Sequence, residues 1–214
     1  MVMVKICGVT REEDVNAVVD AGADAIGFVV NVEESPRNLS LREARNLMEQ
    51  LPNKVDSVAV TVSDQLQEIV EIYRELTPDS IQLHGATSRL AHQVRLAADA
   101  KIIVAVDARS PDALEEAISH PASIDALLVD TYGPGGLGGT GCTHDWNLSR
   151  KIRDAVHPIP MILAGGLTSE NVSHAVRAVR PYGVDVSTGV ELQPGIKDAA
   201  KITQFVRKAK EVDA

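Results

Sequence analysis

The feature that most constrains the fold is an eightfold alternation of short apolar runs with helical stretches along the 214 residues. Strands that alternate with helices pair in parallel through right-handed crossovers. Eight such units predict an α/β fold, a parallel eight-stranded (β/α)8 TIM barrel in a single domain spanning residues 1–214. A doubly wound open sheet is the alternative, but it needs only about five or six strands. The predicted strands are residues 2–6, 25–30, 56–61, 80–83, 102–106, 126–129, 161–164 and 183–186.

Local start and stop signals support the intervening helices. Residues 10–13 and 40–43 have the capping-box pattern, a hydroxyl followed three residues later by Glu. Ser110 before proline predicts an N-cap, and a further helix is expected to begin near Ser169. Gly22 is expected to end the first helix, since glycine is common just past a helix terminus.

Composition excludes several classes of protein. The chain has 30 acidic and 21 basic residues, a formal net charge of −9, which disfavours nucleic acid as the main partner. No apolar run approaches the roughly 18 residues that span a bilayer, and no secretion signal is recognisable. Two cysteines, Cys7 and Cys142, do not make a disulfide framework, so we expect a cytoplasmic protein with no membrane partner. Cys142 and His144 alone provide too few ligands to indicate a zinc site, and no metal is predicted.

Side chains at the carboxyl ends of barrel strands carry the function of such folds. Lys5 and Cys7 flank Ile6 on the first strand, so alternation points both into the barrel. A nearby ammonium lowers the pKa of a thiol, and a thiolate at the barrel mouth can act as base or nucleophile. The alternative is structural, with Cys7 a small buried apolar residue and Lys5 an ion-pair partner.

Asp130 directly follows three apolar residues at the end of the sixth strand. An acid in that place is either a cap of a loop or helix, or a catalytic acid. A partly buried carboxyl group has a raised pKa and can hold a proton near neutrality, which suits general acid catalysis.

The last two strands end in loops that favour an anion. Gly165 and Gly166 follow the seventh strand, and Ser187, Thr188 and Gly189 follow the eighth. Glycines and hydroxyls let backbone N–H groups approach an anion, and a helix N-terminus adds a favourable dipole. Since these two loops are the recurrent phosphate site of such barrels, the sequence predicts a phosphorylated ligand.

Other polar residues near the strand ends leave their roles open. Arg37, after the second strand, is either a carboxylate ligand or simply solvated. Gln82 and His84 end the fourth strand, and His84 is either a structural hydrogen-bond bridge or a ligand contact. The Gly-rich segment 132–142 is either a flexible connection or a flap that closes over substrate.

Motifs along nearly the whole chain resemble one family, the phosphoribosylanthranilate isomerases of tryptophan biosynthesis. They are KICGVT at residues 5–10, GADAIGF at 22–28, SPR at 35–37, QLHG at 82–85, LVDT at 128–131, GGTG at 138–141, DW at 145–146, AGGL at 164–167, ENV at 170–172 and GVDVSTGVE at 183–191, which continues through Pro194, Gly195, Lys197 and Asp198.

The resemblance implies a cofactor-free Amadori rearrangement of N-(5'-phosphoribosyl)anthranilate to 1-(o-carboxyphenylamino)-1-deoxyribulose 5-phosphate. It implies that Cys7 is the general base, that Asp130 is the general acid and that Arg37 contacts the anthranilate part. The small-molecule phosphorylated sugar is then the partner, bound by a monomer or homodimer. The expected substrate contacts come from Lys5, Arg37, Gln82, His84, Gly139 and Asp185.

Departures from the family pattern are few, and rival functions remain. Thr188 stands where serine is common and keeps the hydroxyl, while Cys142 and His144 replace the common Lys and Phe. A related histidine-pathway isomerase would carry an aspartate where Cys7 stands. Other phosphosugar synthases and epimerases would use Lys and Glu or metal-binding residues. A non-catalytic phosphate binder would not need both Cys7 and Asp130.

Overall fold

A computed structural model describes residues 1–120, 124–131 and 143–213. Eight parallel strands pair in chain order, and the first pairs with both the second and the eighth, so the predicted (β/α)8 barrel is confirmed. Each strand lies within one residue of its predicted bounds at either end. The strands are β1 (Met3–Cys7), β2 (Ala25–Val30), β3 (Asp56–Thr61), β4 (Ser80–His84), β5 (Lys101–Asp107), β6 (Ala126–Asp130), β7 (Met161–Leu163) and β8 (Gly183–Val186).

Helices follow the strands around the outside of the barrel. They are α1 (Glu12–Asp20), α2 (Leu41–Met48), α3 (Leu66–Leu76), α4 (Ser88–Ala97), α5 (Ala113–Ile118), α6 (Trp146–Val156), α7 (Val172–Val179) and α8 (Ala199–Lys210). A two-residue strand, Asn38–Leu39, pairs with the end of β2. Between β8 and α8 lie a 3-10 turn, Thr188–Val190, and a short antiparallel hairpin, Glu191–Gln193 with Ile196–Lys197. Among the described residues, no helix is long and apolar enough to cross a bilayer.

Two apolar layers, one on each side of the strands, form the core. The outward-facing side chains, such as Val4, Ile6 and Ile26, pack against the helices and are fully buried. The inward-facing layer is smaller and includes Cys7 and Ala25. Strands covered on both faces favour aliphatic residues, which explains why aromatics make up only 3% of the sequence. Ile6 belongs to the outer layer and Cys7 to the inner layer, which confirms that Cys7 points into the barrel and Ile6 away from it.

Two helix termini follow the sequence signals. Ser40 is the N-cap of α2, and its side chain and that of Glu43 form both hydrogen bonds of a capping box. Gly22 follows the C-cap Ala21 of α1 at φ +76°, a backbone conformation that glycine adopts without strain.

Two predicted N-caps are wrong, because the hydroxyl groups of Thr10 and Ser110 bond elsewhere, and a third helix begins slightly later than expected. The Thr10 hydroxyl donates to the Gly195 carbonyl at 2.6 Å, so Arg11 is the N-cap of α1 without a side-chain bond. Ser110 Oγ accepts from the Asp112 N–H in a turn, and α5 begins only at Ala113. The helix expected near Ser169 begins at Val172.

Helix α7 begins later than expected because residues 168–171 form a turn that is held by side-chain hydrogen bonds. Thr168 Oγ1 accepts from the Glu170 N–H, while Asn171 Oδ1 accepts from the Thr168 N–H. Helix α7 therefore begins after Asn171 and buries the apolar stripe of Val172, Ala175, Val176 and Val179.

Candidate active site

The carboxyl ends of the strands surround two small adjoining cavities. One, of about 70 Å³, is lined among others by Cys7, Arg37, Gln82, His84, Asp130, Asp185 and Ser187. The other, of about 30 Å³, is lined among others by Gly165, Gly166 and Thr188 and shares Asp130, Asp185 and Ser187 with the first. The structure therefore brings the predicted acid, the predicted base and the predicted phosphate loops to one end of the barrel. Gly139 and Cys142, with the whole segment 132–142, lie outside the described residues.

A larger cavity, of about 630 Å³, opens at the opposite end of the barrel. Two ion pairs lie within its lining, Lys101 with Asp56 and Lys210 with Asp24. In these barrels the amino ends of the strands serve stability, and the carboxyl ends carry the chemistry. Size alone therefore does not make this cavity the active site, and we assign the site to the end with Cys7 and Asp130.

Lys5 is fully buried beneath Cys7 and forms an ion pair. Its Nζ lies 3.0 Å from Asp185 Oδ1, because Lys5 on β1 and Asp185 on β8 are in register. Gly27 on β2 leaves room for both side chains of β1. A Cβ at Gly27 would lie 2.9 Å from Cys7 Sγ and 3.1 Å from Lys5 Nζ. Sequence reasoning did not single out Gly27, although a glycine inside a strand is a recognised sign of close approach.

Burial dominates the titration of the Cys7 thiol and raises its pKa above the ordinary value. The positive charges of Lys5 and Lys197 lower the pKa, while the negative charge of Asp185 raises it. Lys5 lowers the pKa as the sequence predicts, but desolvation outweighs this contribution and Asp185 opposes it, so the net shift is upward. For Lys5 itself, burial lowers the pKa, and the charges of Asp185 and Cys7 more than reverse this.

Asp130 ends β6 with a side chain that is only slightly exposed. Burial raises the pKa of its carboxyl group to about 7, although the Thr131 N–H, which donates to Oδ1 at 2.7 Å, and the charge of Lys5 lower it. Asp185 and Asp107 raise the pKa further. The predicted raised pKa is confirmed, and Asp130 can donate a proton near neutral pH.

Gln82 and His84 project into the barrel from β4 and bond to each other. The two Nε2 atoms lie 2.8 Å apart, which makes Gln82 the donor and His84 the acceptor. Burial, with a contribution from Lys5, lowers the pKa of His84 to about 4, so its imidazole is neutral at pH 7. The Oε1 atom of Gln82 is buried and accepts no hydrogen bond within the described chain. This leaves an unused acceptor beside the cavity.

The loops after β7 and β8, in which the sequence predicts a phosphate site, line the second cavity. Gly165 and Gly166 have φ +82° and +62°, and a Cβ at Gly165 would lie 2.9 Å from Thr131 Oγ1. Ser187 and Thr188 complete the lining. Gly189 has a different place. It does not line either cavity, and a Cβ there would clash with the Leu167 carbonyl, so glycine lets the two loops pack together.

Arg37 is buried in an ion pair, so the solvated alternative is wrong. Its Nε and Nη2 donate to the two carboxylate oxygens of Glu191 at 2.8 and 2.7 Å. The aliphatic stem of Arg37 crosses Gly8, where any Cβ would clash with it, and Gly8 has φ +71°. Sequence reasoning missed Glu191 and its second partner, Lys197, as parts of the site. Both lie within the last family motif, which runs from Gly183 through Glu191 to Lys197 and Asp198, but that motif assigned them no role.

The residues that the structure describes contain no group of three or more His, Cys, Asp or Glu side chains able to hold a metal ion. Among the described residues, those that line the first cavity include one thiol, Cys7, and one carboxyl group of raised pKa, Asp130.

Comparisons with known proteins agree on one family. Residues 4–208 match the family described as N-(5'phosphoribosyl)anthranilate (PRA) isomerase. The N-(5'-phosphoribosyl)anthranilate isomerase of Methanothrix thermoacetophila is 43% identical over 211 residues, covering 98% of this chain and 99% of the relative.

Solved structures give the same result. The phosphoribosyl anthranilate isomerase of Thermotoga maritima superposes with a TM-score of 0.88 at 37% identity, covering 99% of this chain and 100% of that one. A structure of such an isomerase in complex with reduced 1-(o-carboxyphenylamino)-1-deoxyribulose 5-phosphate has a TM-score of 0.84 at 34% identity, with the same coverage. This chain belongs to the N-(5'-phosphoribosyl)anthranilate isomerase family.

Proposed function

We propose that this protein catalyses the Amadori rearrangement of N-(5'-phosphoribosyl)anthranilate to 1-(o-carboxyphenylamino)-1-deoxyribulose 5-phosphate. The observation that carries the proposal is that Cys7 and Asp130 line one cavity in a member of this family. Because the reaction moves protons within one molecule and has no net redox change, an acid and a base suffice for it.

The acid step belongs to Asp130. Its proton passes to the ribose ring oxygen as the bond from C1 to that oxygen breaks, and the electron pair of the anilino nitrogen forms an iminium ion at C1. A carboxyl group whose pKa is about 7 is half protonated at neutral pH, so this proton is available. The charge of the iminium ion then acidifies the proton at C2.

The base step belongs to Cys7. Its thiolate takes the C2 proton, the electrons of that bond neutralise the iminium ion, and the resulting enolamine tautomerises to the C2 ketone. Since the pKa of Cys7 is raised and that of Asp130 is about 7, the reactive arrangement is the minor form of a pair that shares one proton. Lys5 and Lys197 favour the thiolate in that form.

The two ends of the substrate have separate binding groups. The cavity of Gly165, Gly166, Ser187 and Thr188 suits the 5-phosphate. Arg37 suits the anthranilate carboxylate, because Glu191 engages Nε and Nη2 and leaves Nη1 outside the pair.

The other residues that are predicted to contact the substrate lie in different surroundings, which indicate different roles. Gln82 and His84 line the reaction cavity and can contact the ribose. Lys5 and Asp185 are paired with each other and act mainly through their charges. Gly189 acts by packing the phosphate loops, and a substrate contact by Gly139 stays a prediction.

The wild-type protein tests the proposal directly. Loss of N-(5'-phosphoribosyl)anthranilate fluorescence is followed with purified protein, and the aminoaldose of the histidine pathway is assayed beside it. We expect turnover of the anthranilate substrate. Turnover of the aminoaldose alone, or of neither substrate, would contradict the proposal.

Arg37→Ala is expected to raise KM for N-(5'-phosphoribosyl)anthranilate by about tenfold or more, since hydrogen bonds to a charged group contribute about 1.5–3 kcal/mol. Steady-state kinetics measure it. The matched control is Arg45→Ala, which removes an exposed arginine whose partner is Glu75 on α3 and should leave KM unchanged. An unchanged KM in Arg37→Ala would remove Arg37 from the binding site.

Inorganic phosphate is expected to inhibit the wild-type enzyme competitively, because it occupies the cavity between the loops after β7 and β8. Sulfate should compete similarly, and chloride at equal ionic strength is the control for salt screening. Inhibition that leaves KM unchanged, or equal inhibition by chloride, would argue against a phosphate site in these loops.

The compartment is inferred from composition, and the assembly from the family resemblance. The net charge of −9 disfavours nucleic acid, and two cysteines without a disulfide framework favour a reducing compartment. We infer a cytoplasmic enzyme that acts on a free phosphorylated sugar as a monomer or homodimer.

A further inference from the structure

The short hairpin after β8 carries two buried charged residues, Glu191 and Lys197. They face each other in register across the hairpin, and their side chains are 5% and 0% exposed. Neither residue transfers a proton in the proposed reaction, although the charge of Lys197 favours the thiolate of Cys7. Charges so deeply buried cost desolvation energy, which a stabilising role alone rarely offsets.

Glu191 fixes the guanidinium group of Arg37. The pair is bidentate, with both bonds below 3 Å, and this geometry sets the plane of the guanidinium as well as its place. Gly8 fits under the stem of Arg37, so the side chain is held along its length. The orientation of Arg37 toward the cavity therefore depends on Glu191.

Lys197 connects Glu191 to the phosphate loop. Its Nζ donates to Glu191 Oε1 at 2.9 Å, to the Ser187 carbonyl at 3.1 Å and to Ser187 Oγ at 3.4 Å. One ammonium group thus fixes the carboxylate that holds Arg37 and the backbone and hydroxyl of Ser187. The two ends of the cavity are linked through a single buried cation.

The hairpin is anchored to the barrel. The backbone N–H of Lys197 donates to Asp14 on α1 at 3.2 Å, and the Gly195 carbonyl accepts from Thr10 at 2.6 Å. Gly195 has φ +81°, and a Cβ there would lie 2.8 Å from the Pro36 carbonyl, next to Arg37. The loops after β1, β2 and β8 are therefore packed as one unit around Glu191 and Lys197.

The charges of this network do not cancel. Two cations, Arg37 and Lys197, share one anion, Glu191, which leaves a net positive charge. This charge lies beside the cavity that is proposed to bind the phosphate and the carboxylate of the substrate. Removal of Glu191 would leave two like charges close together, and removal of Lys197 would leave a neutral pair.

We propose that Glu191 and Lys197 are positioning residues, Glu191 for the arginine that binds the anthranilate carboxylate and Lys197 for both that carboxylate pair and the serine of the phosphate loop. The inference rests on the proposed function for the anthranilate end. For the phosphate end it needs only that the loops bind phosphate.

The experiment compares Glu191→Gln and Lys197→Met with the wild type by two measurements. The first is steady-state kinetics on N-(5'-phosphoribosyl)anthranilate, which gives the separate effects on KM and on kcat. The second is calorimetric titration with inorganic phosphate, which gives its Kd and needs no enzyme activity. Glu191→Gln should raise KM about tenfold, change kcat less, and bind phosphate at least as tightly as the wild type, since a positive charge is uncovered. Lys197→Met should raise both KM and the phosphate Kd by about threefold or more, and Lys197→Arg should recover most of both.

The control is Glu75→Gln, which removes the carboxylate of an exposed arginine pair and should change neither measurement. KM and phosphate Kd within about twofold of the wild type in both test variants would overturn the proposal. So would equal losses of both in Glu191→Gln and Lys197→Met, which indicate general loosening of the fold.

A second substitution at each position is available if the first variant does not fold. If Glu191→Gln does not fold, Glu191→Asp replaces it; the shorter side chain should still raise KM, but phosphate binding should stay at the wild-type level because the negative charge is kept. If Lys197→Met does not fold, Lys197→Gln replaces it with the same expected results. Failure of all four to fold would assign the network to stability and overturn the proposal. A wild type that binds phosphate but does not isomerise the substrate would count against the proposed function alone, and the phosphate arm would still decide on Lys197.

Discussion

Cys7→Ser is expected to lower kcat by at least a factor of about 100 and to leave the barrel folded. A serine hydroxyl is a much weaker acid than a thiol, so the base that takes the C2 proton is lost while the side chain keeps nearly the same shape. The space above Gly27 that accommodates Cys7 Sγ also accommodates an oxygen. The fluorescence assay measures kcat, and thermal unfolding monitored by circular dichroism reports the fold.

Cys7→Ala provides the comparison for this variant. It should lose as much activity as Cys7→Ser, because neither side chain can act as the base. Near-normal turnover by either variant would show that another group removes the proton and would end the assignment of Cys7.

Asp130→Asn is likewise expected to lower kcat by a factor of about 100 or more, since an amide of the same shape has no acidic proton to give the ring oxygen. The same substitution should stabilise the protein at alkaline pH. The pKa of Asp130 in the folded state, about 7, exceeds that of a free aspartate, so its contribution to folding is lost as pH rises through about 7. Asparagine has no charge to bury, so the stability advantage of Asp130→Asn over the wild type should be larger at pH 8 than at pH 5.

Asp107→Asn is the matched control. Asp107 ends the neighbouring strand β5 in register with Asp130, but it bonds to Arg109 and lines neither cavity. Its substitution should change kcat only a few-fold, through its small effect on the pKa of Asp130. Equal losses in the two variants would mean that general negative charge, and not the proton of Asp130, drives the reaction.

The sequence was sufficient to predict the barrel, and it indicated which end of the barrel carries the candidate site. Period-two alternation assigned Cys7 to the interior and Ile6 to the helices, and closure of the barrel then brought the strand ends together. The acid at the end of β6 stood out because a carboxyl group after three apolar residues must be shielded from water. These inferences needed only local patterns and the topology.

The features that the sequence did not reveal depend on long-range contacts. Glu191 meets Arg37 across 154 residues, and only the closed barrel makes them neighbours. The net pKa of Cys7 depends on how completely the thiol is buried and on the pairing of Lys5 with Asp185, neither of which a spacing pattern measures. The cap of α1 was mispredicted for the same reason, since Thr10 bonds to the distant Gly195.

The pH dependence of kcat/KM on N-(5'-phosphoribosyl)anthranilate, with wild type and Asp130→Asn compared, tests the shared proton of Cys7 and Asp130 most directly. Below about pH 7 both groups are protonated and no base is present, while above the raised pKa of Cys7 neither holds a proton. The wild-type profile should therefore rise through about pH 7 and fall at more alkaline pH, and the residual activity of Asp130→Asn should lack the rise near 7. A wild-type profile that is flat from about pH 6 to about pH 8, or a rise near 7 that persists in Asp130→Asn, would contradict the account.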